Sequence, residues 1–82
     1  MTNAKKNFSE RLKACRADLG ITVREMSEKT EIPVSTIETH LGGLSMPRGE
    51  MLMRYSDLFG VSAHWLLTGD FFTHVPPSIK MN

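Results

Sequence analysis

Helix breakers fall at Gly20, Pro33, the pair Gly42-Gly43, Pro47, Gly60 and Gly69, and the stretches between them carry apolar residues at helical spacing. A chain cut this way is expected to fold as short helices joined by tight turns. Phe8, Leu12, Cys15 and Leu19 form a single apolar stripe on a charged segment. They predict a first helix over 7–19, with Asn7 as N-cap, Glu10 in capping-box spacing and Gly20 supplying the positive φ of a helix end. Thr22 and Glu25 form a second capping box that opens a helix over 23–30, with Val23, Met26 and Thr30 facing inward. Pro33 makes continuation past Ile32 improbable.

The third helix is expected over 34–41, burying Ile37 and either His40 or Leu41, and small Ser27 permits close helix approach. After a loop over 45–49, Leu52, Tyr55, Leu58 and Phe59 restore helical spacing up to Gly60. Ser62 caps a fifth helix with Trp65 and Leu66 inward, stopped by Gly69. Neither an internal repeat nor a β-hairpin signal occurs. The predicted fold is all-α: a compact five-helix domain over 7–69, a flexible N-terminal arm over 1–6, and a short extended tail over 70–82 containing Phe71, Phe72, Pro76 and Pro77.

Eighty-two residues and 9.2 kDa allow one small domain. The lone Cys15 excludes an intrachain disulfide framework and a cysteine-based zinc cage, and a reducing compartment, by default the cytoplasm, is expected. The longest apolar runs, such as Trp65-Leu66-Leu67, are far too short to span a bilayer, and the N-terminus lacks a signal-peptide core. No membrane or export role is expected. The net charge of +1 hides an uneven distribution: residues 1–30 hold seven basic and four acidic groups, residues 31–82 three and five. The N-terminal half is the one expected to face phosphate.

Two short helices joined by a tight turn are the arrangement in which one helix enters a DNA major groove while its partner braces it. The stretch from Leu19 to Asp70 (LGITVREMSEKTEIPVSTIETHLGGLSMPRGEMLMRYSDLFGVSAHWLLTGD) resembles the lambda-repressor/Cro-type (XRE-type) helix-turn-helix domain, and the resemblance covers roughly residues 8–70. Met26, Ser27, Ile32, Ile37 and Gly43 stand at the family's motif core. Pro47 to Glu50 and Leu58 to Leu67 resemble its fourth and fifth helices. The resemblance implies a homodimeric transcriptional regulator of phage or prophage style that binds an operator in double-stranded DNA, without cofactor, metal or catalysis. On the third helix it implies base contacts from Val34, Ser35, Glu38 and Thr39. Thr22, Arg24, Thr36, Ser45 and Arg48 fall at phosphate-contacting positions, and Trp65, Leu67, Phe71 and Phe72 are the expected dimer contacts.

The departures from the family pattern are chemical. Val23 replaces a glutamine that braces the DNA backbone, and Glu31 replaces the turn glycine at a cost of roughly 1 kcal/mol. Leu41 replaces a frequent glutamate and His40 a frequent apolar residue, so the third helix is expected to sit slightly rotated. No lysine or arginine occurs between residues 31 and 47, so the strongest bidentate readers of guanine are missing. A protein-interaction module of the same fold, an antirepressor or repressor-binding partner, is the competing reading. An antitoxin is a third, although the 12 residues after Asp70 leave little room for a toxin-binding segment.

Several residues carry a plainer alternative. Arg24 and Arg48 are either phosphate contacts or solvated surface groups. Lys5 and Lys6 are either an arm along DNA or a solubilising terminus, and Arg16 is expected to be structural, reaching Glu25. Cys15 is expected to be a buried hydrophobe. His40, His64 and His74 lie on three separate elements without ligand spacing, and enzyme function has no support. Met51 and Met53 lie on opposite sides of the fourth helix, so one of them is expected to be exposed.

Overall fold

The computed structural model describes residues 3–70. Five helices follow in order: α1 (Ala4–Leu19), α2 (Val23–Thr30), α3 (Val34–Leu41), α4 (Gly49–Phe59) and α5 (Ala63–Thr68). α1 packs against α3, α4 and α5, α2 against α3 and α4, and α4 against α5. Between them lies one core of Phe8, Leu12, Cys15, Met26, Ile32, Ile37, Leu52, Tyr55 and Leu66. Met51 packs against this core and Met53 faces solvent, as their opposed positions require.

α1 begins a turn earlier than its apolar stripe predicts. Asn3, not Asn7, is the N-cap, its Oδ1 accepting the Lys6 N–H at 3.0 Å, while the Asn7 N–H bonds the Asn3 carbonyl inside the helix. Alanine and two lysines at positions 4–6 are good helix formers, and Asn3 offers them the same cap chemistry. Lys5 and Lys6 therefore belong to the first turn of α1 and not to a flexible arm. At the other end Cys15 is the last buried position, so Leu19, one turn further, projects past the packed region and is exposed.

α5 has six residues, well short of the roughly 12–15 that an isolated helix needs for even marginal stability. Tertiary bonds hold it instead. Leu66 is fully buried, Ser62 Oγ accepts the Trp65 N–H at 2.8 Å, and Arg11 donates from Nε to the Leu66 carbonyl at 2.8 Å and from Nη2 to the Leu67 carbonyl at 2.9 Å.

The α2–α3 turn is tied from several directions. The Thr22–Glu25 capping box is formed in both directions. The Ser27 hydroxyl donates to the Ile32 carbonyl at 2.6 Å; Thr30 Oγ1 donates to the Met26 carbonyl and accepts the Ile32 N–H. Arg54 Nη1 reaches from α4 to the Thr30 carbonyl at 3.0 Å and pairs through Nη2 with Glu50. Glu31 takes the left-handed conformation, φ 62° and ψ 22°, that glycine usually supplies. Its side chain is exposed, so Glu31→Gly relieves backbone strain without losing a packed group. The expected gain is about 0.5 kcal/mol, since glycine's extra unfolded-state entropy offsets much of the relief. A urea titration checks it, and a loss of stability would mean that the carboxylate contributes more than the strain costs.

Candidate nucleic-acid interface

α3 buries Ile37 and His40 and leaves the opposite side open. Val34, Ser35 and Glu38 are exposed on that side, Thr39 is half-buried, and Thr39 Oγ1 donates to the Ser35 carbonyl at 2.9 Å. The Thr39 hydroxyl is thus left as an acceptor toward a ligand, and its proton is engaged. Four residues predicted to contact bases therefore share one short helix. Pro33 caps α3 by its backbone alone, with no side-chain hydrogen bond.

Of the predicted phosphate contacts, Thr22, Arg24 and Arg48 lie at the starts of α2 and α4, Thr36 lies on α3 itself and Ser45 in the loop that follows it. Thr22 is exposed, but its hydroxyl accepts the Glu25 N–H and its own N–H goes to Glu25 Oε1, so both groups are already part of the cap. Arg24 in the first turn of α2 and Arg48 at the N-cap of α4 are exposed, and neither forms an ion pair among the described residues. Thr36 and Ser45 are half-buried.

The remaining arginines of the described residues have structural tasks. Arg11 and Arg54 hold carbonyls at the ends of α5 and α2, as above. Arg16 does not reach Glu25: its Nη1 donates to the Ile21 carbonyl at 3.0 Å, because the Glu25 carboxylate is already closing its own helix cap. Partition of the arginines into carbonyl-binding and free groups was not visible in the sequence, since Arg11 lies 55 residues from its first acceptor.

His40 takes the buried place on α3, and its partner explains how a polar ring is tolerated there. His40 Nδ1 and the Tyr55 hydroxyl are 2.7 Å apart, and the two rings meet edge to face. Burial holds the imidazole below its ordinary range and pushes the Tyr55 phenol far above its own, so both are neutral near pH 7. Leu41 is half-buried beside them. Cys15 is buried as expected, and burial followed by the nearby Asp18 raises its thiol, which keeps it protonated.

The described residues hold no group of three or more histidine, cysteine or acidic side chains placed to bind a metal. None of their helices is long and apolar enough to cross a membrane. On α5, Trp65 is half-buried and Leu67 is 38% exposed, and the other two predicted dimer contacts, Phe71 and Phe72, lie outside the described residues. Leu44, not anticipated from the sequence, is 73% exposed in the turn just past α3. Its only sequence signal is an apolar residue between a glycine pair and a serine.

The family profile described as a helix-turn-helix domain matches residues 9–70 of this sequence, spanning all of α2 to α5 and most of α1. The chain belongs to the helix-turn-helix domain family. It is of the XRE type, a class of DNA-binding domains, and the all-helical five-helix architecture agrees with that assignment. Searches of curated proteins and of solved structures found no significant match.

Proposed function

We propose that this helix-turn-helix protein is a sequence-specific transcriptional regulator of the phage or prophage repressor type. As a cytoplasmic homodimer without cofactor or catalytic activity, it sets two copies of α3 into successive major grooves of a pseudo-palindromic operator. The observation that supports this best is the exposure of Val34, Ser35 and Glu38 on a helix whose opposite face is locked to the rest of the domain. Val34 suits a thymine methyl, Ser35 and Thr39 offer hydroxyl oxygens, and the Glu38 carboxylate accepts from cytosine N4. Arg24 and Arg48 meet phosphates, with Thr22, Thr36 and Ser45 supplying weaker polar contacts. Trp65 and Leu67, with Phe71 and Phe72, form the dimer contact, leaving α2 and α3 free for the duplex.

Glu38→Gln tests the base reading. As a reader, Glu38 confers preference at one operator position, and its loss is expected to relax that preference by about 1 kcal/mol, the low end for a base contact because only one hydrogen bond is made. Competition binding against single-base operator variants measures this. Uniformly tighter binding to every sequence would show that Glu38 only repels the backbone.

A second reading is favoured by the absence of lysine and arginine from residues 31–47 together with the exposed Leu44: a protein-interaction module that keeps the fold and reads few bases. That reading predicts a protein partner seated on α3 and no operator preference.

A further inference from the structure

Lys6 and Lys13 are exposed on α1, and none of the contacts described above engages their ammonium groups. The turn that closes α3 rests directly on this helix. A Cβ on Gly43, which has φ 75°, would lie 3.4 Å from Ser9 Oγ and 3.7 Å from Lys6 Cα. Two flanks of α1 can therefore be told apart. Arg11, on one side of buried Phe8, reaches α5; Ser9, on the other side, meets the end of the α3 turn.

At 3.6 residues per turn, Lys6 and Lys13 fall roughly 60° and 40° beyond Ser9, away from the core and away from α5. They form the solvent edge of α1 on the α3 side. Glu10 stands near them on that helix but pairs with neither, the Arg54–Glu50 pair being the one ion pair among the described residues. The edge thus keeps a net positive charge of one unit beside a helix that carries no lysine or arginine.

A helix lying in the major groove has sugar-phosphate backbone along both sides, so a cationic edge next to its C-terminal end faces a phosphate row. We propose that Lys6 and Lys13 form a phosphate-contacting edge on α1 that anchors the duplex beside the end of α3. This rests on the DNA-binding reading above and adds to it a second helix that touches the backbone. With Glu10 offsetting one lysine, the edge neutralises about one phosphate per subunit.

The test compares the full chain with Lys6→Gln/Lys13→Gln and Lys6→Arg/Lys13→Arg, titrated over several salt concentrations against a mixed-sequence duplex. Glutamine and arginine are both good helix formers, so α1 is retained, and circular dichroism confirms it. The plot of log affinity against log salt is expected to become shallower by about 0.9 per subunit in the glutamine variant, roughly 1.8 for a dimer, and to regain its slope in the arginine variant. An unchanged slope, in a protein whose wild type binds duplex in a salt-dependent way, overturns the edge and leaves DNA binding standing. So does an arginine variant that stays as shallow as the glutamine one. A wild type with no salt-dependent affinity for duplex at all overturns both.

Discussion

Arg11→Met is expected to lower the unfolding free energy by about 2–4 kcal/mol, because two charge-assisted hydrogen bonds at the end of α5 are lost together. Nε and Nη2 of Arg11 hold the Leu66 and Leu67 carbonyls, which a six-residue helix has no further turn to satisfy. Methionine retains the apolar stem, so the loss reports the guanidinium and not the packing. The chain's one tryptophan, Trp65, sits within α5, and its fluorescence follows the release of that helix directly. Urea unfolding monitored by that fluorescence and by helical circular dichroism gives the result. A loss below about 0.5 kcal/mol, the scale of an ordinary surface substitution, would show that Leu66 burial alone secures α5.

Tyr55→Phe is expected to cost about 1–3 kcal/mol, since it removes the partner of His40 Nδ1 and leaves a buried polar nitrogen unpaired. The same pair sets a pH dependence. Burial lowers the His40 pKa in the folded chain from its ordinary 6.5, so at acidic pH the unfolded chain binds the proton more readily than the folded one. The contribution is complete above about pH 6.5 and is lost progressively as pH falls toward the lowered folded value. Denaturant midpoints taken from pH 7.5 down to about 5 should decline in the wild type and decline less in His40→Gln, which has no imidazole to protonate. Parallel profiles for the two proteins would mean that His40 does not govern acid sensitivity.

The order of the helices was legible because breakers and periodic apolar residues are local signals. Thr22, Glu25, Gly20, Gly60, Ser62 and Gly69 all act at the helix ends where their chemistry suggested. The first helix start was misplaced because Asn3 and Asn7 are both competent caps, and no local rule decides between them when the intervening residues favour helix. Leu19 followed the stripe in direction but lay beyond the reach of the core, a matter of neighbouring helix lengths. What the sequence concealed most was partnership across the fold. Arg11 with α5, Arg54 with the end of α2, and His40 with Tyr55 are contacts between residues far apart in the chain. These pairings also decide which cations remain for a ligand, so the candidate interface was legible in its outward face on α3 and not in its charge.

The proposed regulator function depends on α3 reading DNA sequence. Selection of bound duplexes from a random library at low salt, using the full chain, tests it most directly. The predicted result is an enriched pseudo-palindrome whose half-sites lie one helical turn, about 34 Å, apart, as two copies of α3 in a symmetric dimer require. A folded chain that leaves the library as random as it began would contradict the claim.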